Sequence, residues 1–131
     1  MERSTFLEYV ACNTDMQALS SSLADTTITL GKNTARGLGA GGNPEMGGAS
    51  ADESYDQISQ MVSDSDMVFV VAGMGGGTGT GAAPVVAQAA RAAGCLTVGV
   101  VTKPFMFEGQ RRMRQAEAGI TKLKQQVGHS K

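Results

Sequence analysis

Histidine and cysteine are scarce in this sequence, and the few that are present argue against the common nucleophilic and metal chemistries. The only histidine is His129, close to the C-terminal end, and the two cysteines, Cys12 and Cys95, lie far apart without metal-ligand spacing. A Ser-His-Asp or Cys-His mechanism needs a base beside its nucleophile, and a zinc site needs closely spaced ligands. We therefore expect neither type of hydrolase and no metal held directly by protein side chains. Both cysteines are interpreted as small apolar core residues.

Long hydrophobic runs are also missing. No apolar stretch reaches the roughly 20 residues that span a membrane, and the N-terminus lacks the basic region and apolar segment of a secretory signal. We predict a cytoplasmic protein without direct membrane insertion. A plastid or mitochondrial location stays open, because a transit peptide can precede these residues.

Aromatic residues are few and badly placed for nucleic-acid binding. Seven of the eleven basic residues lie in residues 103–131, yet no aromatic residue follows Phe107. Single-stranded nucleic acids are usually bound by interleaved basic and aromatic side chains. We interpret the basic segment as the solvated face of a helix and expect no nucleic-acid partner.

Glycine, by contrast, is abundant and concentrated. Residues 73–84 contain six glycines between the apolar run Met67–Ala72 and a helix-like stretch that starts at Ala82. Glycine lets backbone N–H groups crowd around an anion, and a helix N-terminus adds unpaired donors and a positive dipole end. The segment predicts a phosphate-binding loop, with Thr78 and Thr80 as hydroxyl donors and helix caps and Pro84 in the first helical turn.

Two familiar phosphate loops fit poorly. A Walker A loop needs Gly-x4-Gly-Lys-Ser/Thr, but Gly31-Lys32 is followed by Asn33 and has Thr26 at the first glycine position. A dinucleotide fingerprint is partly met by Gly77-x-Gly79-x-x-Ala82, but the next strand ends at Thr102-Lys103 without the expected ribose-binding acid. An NAD(P)-type domain is therefore the weaker alternative.

The hydrophobic pattern predicts alternating strands and helices. Apolar runs at Glu8–Cys12, Met67–Ala72 and Cys95–Val101 read as strands, and strands that are apolar on both faces indicate a parallel sheet covered on both sides. A first helix is predicted after a cap at Asp15 or Thr14 and runs through Leu23, and a second covers 48–63. A third runs from Gly79 to Ala93 with Gly94 at C′, and the apolar stripe Met113, Ala116, Ile120, Leu123 and Val127 predicts the last. Residues 37–48 are interpreted as a glycine-rich loop. The fold class is α/β with three layers and a mostly parallel sheet, incomplete at both ends.

Four segments in order resemble the nucleotide-facing loops of the tubulin/FtsZ family of GTP hydrolases, in its FtsZ form. They are Asn13-Thr14-Asp15-x-Gln17-Ala18-Leu19, Gly37–Glu45, the heptapeptide Gly75–Gly81 and Thr102-Lys103-Pro104-Phe105-x-Phe107-Glu108-Gly109-x-x-Arg112. The resemblance covers about residues 9–127. A run of four ordered motifs is far more specific than one glycine-rich loop.

The resemblance implies a GTP or GDP site and names its residues. Gly75–Gly81 would hold the β- and γ-phosphates, Glu108 the ribose hydroxyls, and Arg112 would lie near the sugar and base. Mg²⁺ would be bound mainly through the phosphates, with Asp15 either touching it through water or capping a helix. The full implied set is Asn13, Asp15, Ala40, Gly41, Gly42, Gly75, Gly76, Gly77, Thr78, Gly79, Thr80, Gly81, Glu108 and Arg112. We expect Gly77→Ala to weaken nucleotide binding with little loss of fold.

The resemblance also implies a role and a division of labour. Family members polymerise head to tail into filaments in cell or organelle division, and a neighbouring subunit supplies the acidic loop that completes the hydrolytic site. We expect residues 1–131 to form a partial GTP-binding domain without the first strand and its glycine loop, the central helix or the C-terminal domain. Such a chain would bind GTP, associate with itself or with full-length FtsZ-like subunits at the division site, and lack turnover of its own, with its catalytic residues unknown. A truncated, non-catalytic interaction fragment is the other alternative. An incomplete sheet would also leave apolar faces of its strands uncovered.

Overall fold

Two short parallel sheets support the loops that contain the four sequence motifs. A computed structural model describes residues 7–127. The strands are β1 Val10–Asn13, β2 Thr26–Thr29, β3 Met67–Gly73 and β4 Leu96–Thr102; the helices are α1 Met16–Ser20, α2 Pro44–Glu53, α3 Tyr55–Val62, α4 Thr78–Ala92 and α5 Gln110–Lys124, with a 3-10 turn at Met106–Glu108. Strand β1 pairs with β2 and β3 with β4, both in parallel. The predicted α/β class with parallel strands is confirmed.

Helix α4 joins the two halves of the core. Its alanines pack on one side against side chains from β2, α2 and α3, and on the other against β3 and α5. Because alanine is small and favours helices, neighbouring backbones approach α4 closely. The buried residues of the two clusters are Ile28, Leu30, Ala51, Ile58, Ala82 and Ala89 in one, and Val70, Met74, Ala83, Ala87, Ala116 and Leu123 in the other.

One face of the β3–β4 sheet is open to solvent in the described part of the chain. Val68, Val70 and Ala72 pack into the core, whereas Phe69 and Val71 between them are 52% and 73% exposed. The expectation of helix cover on both faces is therefore not met within residues 7–127. The exposure agrees with the expectation of uncovered apolar faces.

The predicted elements are largely confirmed, with local differences. The helix expected over 48–63 is two helices, because the chain breaks at Ser54, and the first of them begins earlier, at Pro44 after the Asn43 cap. Residues 44–48 are therefore helical rather than loop. Pro84 lies inside α4 beyond its first turn, and neither predicted threonine caps that helix, since its N-cap Gly77 has no side-chain cap bond. Strand β2 is absent from the sequence prediction, although its β-branched run of threonine and isoleucine is a strand signal.

Both cysteines behave as packed apolar residues. Cys95 is buried, and its Sγ donates to the carbonyls of Val62 and Ser65 at 3.3 and 3.2 Å. Cys12 is half-buried, and burial raises the pKa of its thiol. Cys12 packs against one hydrophobic cluster and Cys95 belongs to another, so the interpretation of both as small apolar core residues is confirmed.

A matched serine pair provides a stability test. Ser50 is fully buried and its Oγ has no hydrogen-bond partner among the described residues, whereas the Ser54 Oγ accepts the Gly31 N–H at 3.0 Å. We expect Ser50→Ala to raise the free energy of unfolding by about 1 kcal/mol, because it removes an unsatisfied buried hydroxyl and adds helix propensity. Ser54→Ala should lower it by about the same amount. Urea unfolding measures both, and a destabilised Ser50→Ala would mean that the hydroxyl has a partner.

Candidate functional site

The four sequence motifs meet at one edge of the structure, where the parallel strands end. Strand β1 ends at Asn13, β3 at Gly73 and β4 at Thr102, and each continues directly into one of the motifs. The second motif joins them because the Gly39 N–H donates to the Thr14 carbonyl at 3.1 Å. Ligands of open α/β sheets bind at this carboxyl edge.

The first motif is connected to the glycine-rich loop by a pair of hydroxyl groups. Thr14 is fully buried, and its Oγ1 lies 2.6 Å from the Oγ1 of Thr78 at the start of α4. Asp15 caps α1, since its Oδ1 accepts from the N–H groups of Gln17 and Ala18 at 2.9 and 3.3 Å. The capping alternative for Asp15 is therefore observed, and Asn13 supports it by accepting the Asp15 N–H at 3.2 Å.

Six glycines of the site fall into two groups. A side chain at Gly79 would overlap the Gly73 carbonyl, and one at Gly81 would overlap the Pro44 carbonyl of α2. At Gly77 a Cβ would lie 2.7 Å from the Asn43 nitrogen. These glycines are required because backbone packs against backbone.

The second group faces free space. A Cβ at Gly41, Gly42 or Gly76 would meet nothing within 4 Å. These three glycines leave backbone open to a ligand, and they come from two different motifs; Gly109 of the fourth motif is also open. Because Gly77 packs on Ala40 and Gly42, the two loops form one continuous rim.

The geometry of the glycine-rich loop corrects one expectation. Gly77 has φ −89°, so a substitution there acts through the clash with Asn43 and Ala40, and the expectation of little loss of fold is not supported. The glycine with left-handed backbone is Gly75, at φ +116°. The Thr80 hydroxyl is buried and accepts the Gly75 N–H at 2.7 Å, so it braces the loop from within.

The predicted ribose and base residues lie together at the other end of the site. Arg112 Nη1 donates to Glu108 Oε1 at 3.3 Å, and the other carboxylate oxygen accepts the Phe105 N–H at 3.1 Å. The backbone of Arg112 also lies close to the glycine-rich loop. A Cβ added to Gly75 would be only 3.3 Å from the Arg112 carbonyl oxygen. A half-exposed pair of this kind is weakly held, so a sugar hydroxyl can compete for either partner.

Glu53 supports the site from outside. Its carboxylate accepts the N–H groups of Asn33 and Thr34 at 3.0 and 2.9 Å and the Thr34 hydroxyl at 2.6 Å. This holds the turn that leads into Gly37–Gly42. The Thr34 hydroxyl and then the two backbone donors lower the pKa of the Glu53 carboxyl.

The lowered pKa fixes the sign of a pH effect. A carboxyl group whose pKa is lower in the folded than in the unfolded chain stabilises the fold at pH values above its unfolded-state pKa. That stabilisation is lost as the pH falls through the folded-state pKa. We expect Glu53→Gln to be less stable than the parent at neutral pH, with the difference shrinking as pH falls below 4.5. Denaturant unfolding over a pH series measures this, with Asp52→Asn as the control for loss of one exposed charge on α2. A difference that persists unchanged at low pH would contradict this role of the carboxylate.

Some residues that shape the site are absent from the sequence prediction. Gly47 of α2 packs against the Gly77 carbonyl, and Gln115 of α5 donates from its Nε2 to the Gly75 carbonyl at 2.8 Å. Neither lies in a nucleotide-facing motif, and no local pattern marks them. Their roles depend on contacts between elements distant in sequence.

Within residues 7–127, no three histidine, cysteine or acidic side chains group closely enough to hold a metal ion. No helix in that same range has both the length and the apolarity needed to cross a bilayer.

Known proteins match this chain over nearly all of its length. It is 61% identical over 121 residues to the "Cell division protein FtsZ" of Bartonella bacilliformis and 60% identical to that of Rhizobium radiobacter, with 92% of this chain covered in each case. It spans only 20% and 21% of the length of those two relatives.

Solved structures agree with the sequence relatives. An empty FtsZ dimer from M. jannaschii superposes with a TM-score of 0.90 at 52% identity, covering 92% of this chain and 35% of that one. CetZ2 from Haloferax volcanii, solved as a GTPγS-bound protofilament, superposes with a TM-score of 0.84 at 28% identity, covering 92% of this chain and 38% of that one.

The comparison with protein families agrees with the four motifs and with the fold. The tubulin/FtsZ family, GTPase domain, matches residues 2–130. This chain therefore belongs to the tubulin/FtsZ family of GTPase domains.

Proposed function

We propose that this chain forms the phosphate-holding part of a GTP/GDP site in an FtsZ-like GTPase of cell division. The observation that carries the proposal is the shared rim of open backbone at Gly41, Gly42 and Gly76, beside the N-terminus of a 15-residue helix. Unpaired N–H groups and the positive end of the helix dipole favour a bound polyphosphate.

The remaining contacts follow from the positions of the other predicted residues. Glu108 accepts hydrogen bonds from the ribose diol, and Arg112 borders the sugar and base. Mg²⁺ is held mainly by the phosphates, which suits an ion that keeps several waters and few protein ligands. Asp15 is committed to its helix cap through one oxygen and reaches the ion at most through water.

Filament formation is the second part of the proposal. The structural relatives of this chain include a dimer and a protofilament. A head-to-tail contact is heterologous and open, so each subunit offers its nucleotide-bearing edge to the next. The loops around Gly75–Gly81 lie at such an edge. The neighbouring subunit completes the hydrolytic site. An isolated copy of this chain therefore binds nucleotide without sustained turnover.

Calorimetric titration with a phosphate series tests the binding proposal. With Mg²⁺ present, GDP and GTPγS should bind at one shared site, and GMP should bind at least tenfold more weakly, about 1.4 kcal/mol. Equal affinities for GDP and GMP would contradict a phosphate-dominated site. Competition by NADH as strong as that by GDP would support the NAD(P)-type alternative.

A further inference from the structure

We infer that Gln115 is a positioning residue for the phosphate loop: its side-chain amide holds the Gly75–Gly76 peptide so that the Gly76 N–H faces the nucleotide phosphates. The inference rests on the proposed function. It assigns a role to a helix residue outside the four nucleotide-facing motifs.

Gly75 is held at both of its backbone polar groups. Its carbonyl accepts from Gln115 Nε2 at 2.8 Å, and its N–H donates to Thr80 Oγ1 at 2.7 Å. Within residues 7–127, Gln115 is the only donor to that carbonyl. Thr80 is fixed in the core of α4, whereas Gln115 comes from α5, so the loop is tied to two helices.

The geometry of the Gly75–Gly76 peptide shows where the Gly76 N–H points. In a planar trans peptide the C=O and the following N–H point in opposite directions, and the described chain has no cis bonds. The Gly75 carbonyl points toward α5, so the Gly76 N–H points away from it. A Cβ on Gly76 would find no atom within 4 Å, so this residue borders open space.

The anchor matters because a glycine pair can rotate its shared peptide at little cost. Rotated by half a turn, the Gly75 carbonyl oxygen would replace the Gly76 N–H at the site and repel a phosphate oxygen. Gln115 excludes that orientation before the nucleotide arrives. Preorganisation of this kind raises affinity because less ordering remains to be done on binding.

The packing of α5 does not itself require this amide. The helix is anchored in the core by Ala116, Gly119 and Leu123, while Gln115 is half-buried at the margin. Loss of the amide should therefore alter the loop more than the fold.

Gln115→Met tests the inference in the full chain, because methionine keeps the length of the side chain and removes the donor. We expect GDP affinity, measured by calorimetry with Mg²⁺, to fall at least tenfold, which corresponds to about 1.4 kcal/mol. Gln125→Met is the matched control at the other end of α5 and should bind GDP like the parent. Gln115→Ala, which favours the helix, provides a second variant in case the first folds poorly.

A readout without nucleotide separates positioning from general destabilisation. Amide hydrogen exchange by NMR should show faster exchange at Gly75 and an altered Gly76 amide shift in both Gln115 variants, with α4 and α5 protected as in the parent. Parental GDP affinity in either folded variant, or parental amide behaviour at Gly75 and Gly76, would overturn the inference. Should the parent itself fail to bind GDP, the proposed function fails, and the amide measurements alone then show whether Gln115 orients the loop.

Discussion

Gly47→Ala is expected to lower the free energy of unfolding by about 2 kcal/mol, while Gly48→Ala leaves it within about 0.5 kcal/mol of the parent. The two glycines are neighbours in α2, so alanine gains the same helix propensity, about 1 kcal/mol, at each. They differ in what a side chain would meet. At Gly47 it would overlap the Gly77 carbonyl oxygen and lie 3.0 Å from the Thr78 Cα, whereas at Gly48 the nearest atom is the Gly81 oxygen at 3.3 Å.

Backbone atoms cannot rotate away as a flexible side chain can, so the clash at Gly47 must separate α2 from the start of α4. Urea unfolding followed by circular dichroism measures both variants at matched m-values. Because the displaced backbone belongs to the phosphate loop, nucleotide affinity should fall with stability in Gly47→Ala alone. Two equally stable variants would show that α2 and the phosphate loop are not in contact.

Gly76→Ala is expected to weaken GDP binding at least tenfold, about 1.4 kcal/mol, without loss of stability. Its backbone is outside the left-handed region and a Cβ would enter open space, so the fold tolerates the substitution. The added methyl group would occupy the side from which phosphate oxygens approach the N–H groups. Binding and stability therefore separate at this residue.

Gly77→Ala is the comparison variant, and we expect it to reduce stability together with binding. Its Cβ would lie 2.8 Å from the Ala40 side chain. Calorimetry and urea unfolding on the two variants distinguish these outcomes. Parental GDP affinity in folded Gly76→Ala would remove this residue from the site.

Local sequence determined most of the secondary structure and the identity of the loops. The apolar run at Met67–Ala72, the glycines after it and the alanine-rich segment that follows specify a strand, a tight loop and a helix through short-range preferences alone. The Asp15 cap is also a local property, because its acceptor and the donors it satisfies lie within three residues. The order of the four motifs was sufficient to indicate the family.

Only the tertiary structure decided which residues of those loops face a ligand and which are needed for packing. Sequence treats the glycines as equivalent, but Gly76 faces open space while Gly77 and Gly81 are needed for contact with α2 and the loop before it. The anchor from Gln115 and the Thr14–Thr78 hydroxyl contact likewise join elements far apart in the chain. The physical reason is that short-range preferences act through neighbouring residues, whereas steric exclusion and hydrogen bonds between elements exist only after the helices and strands have packed.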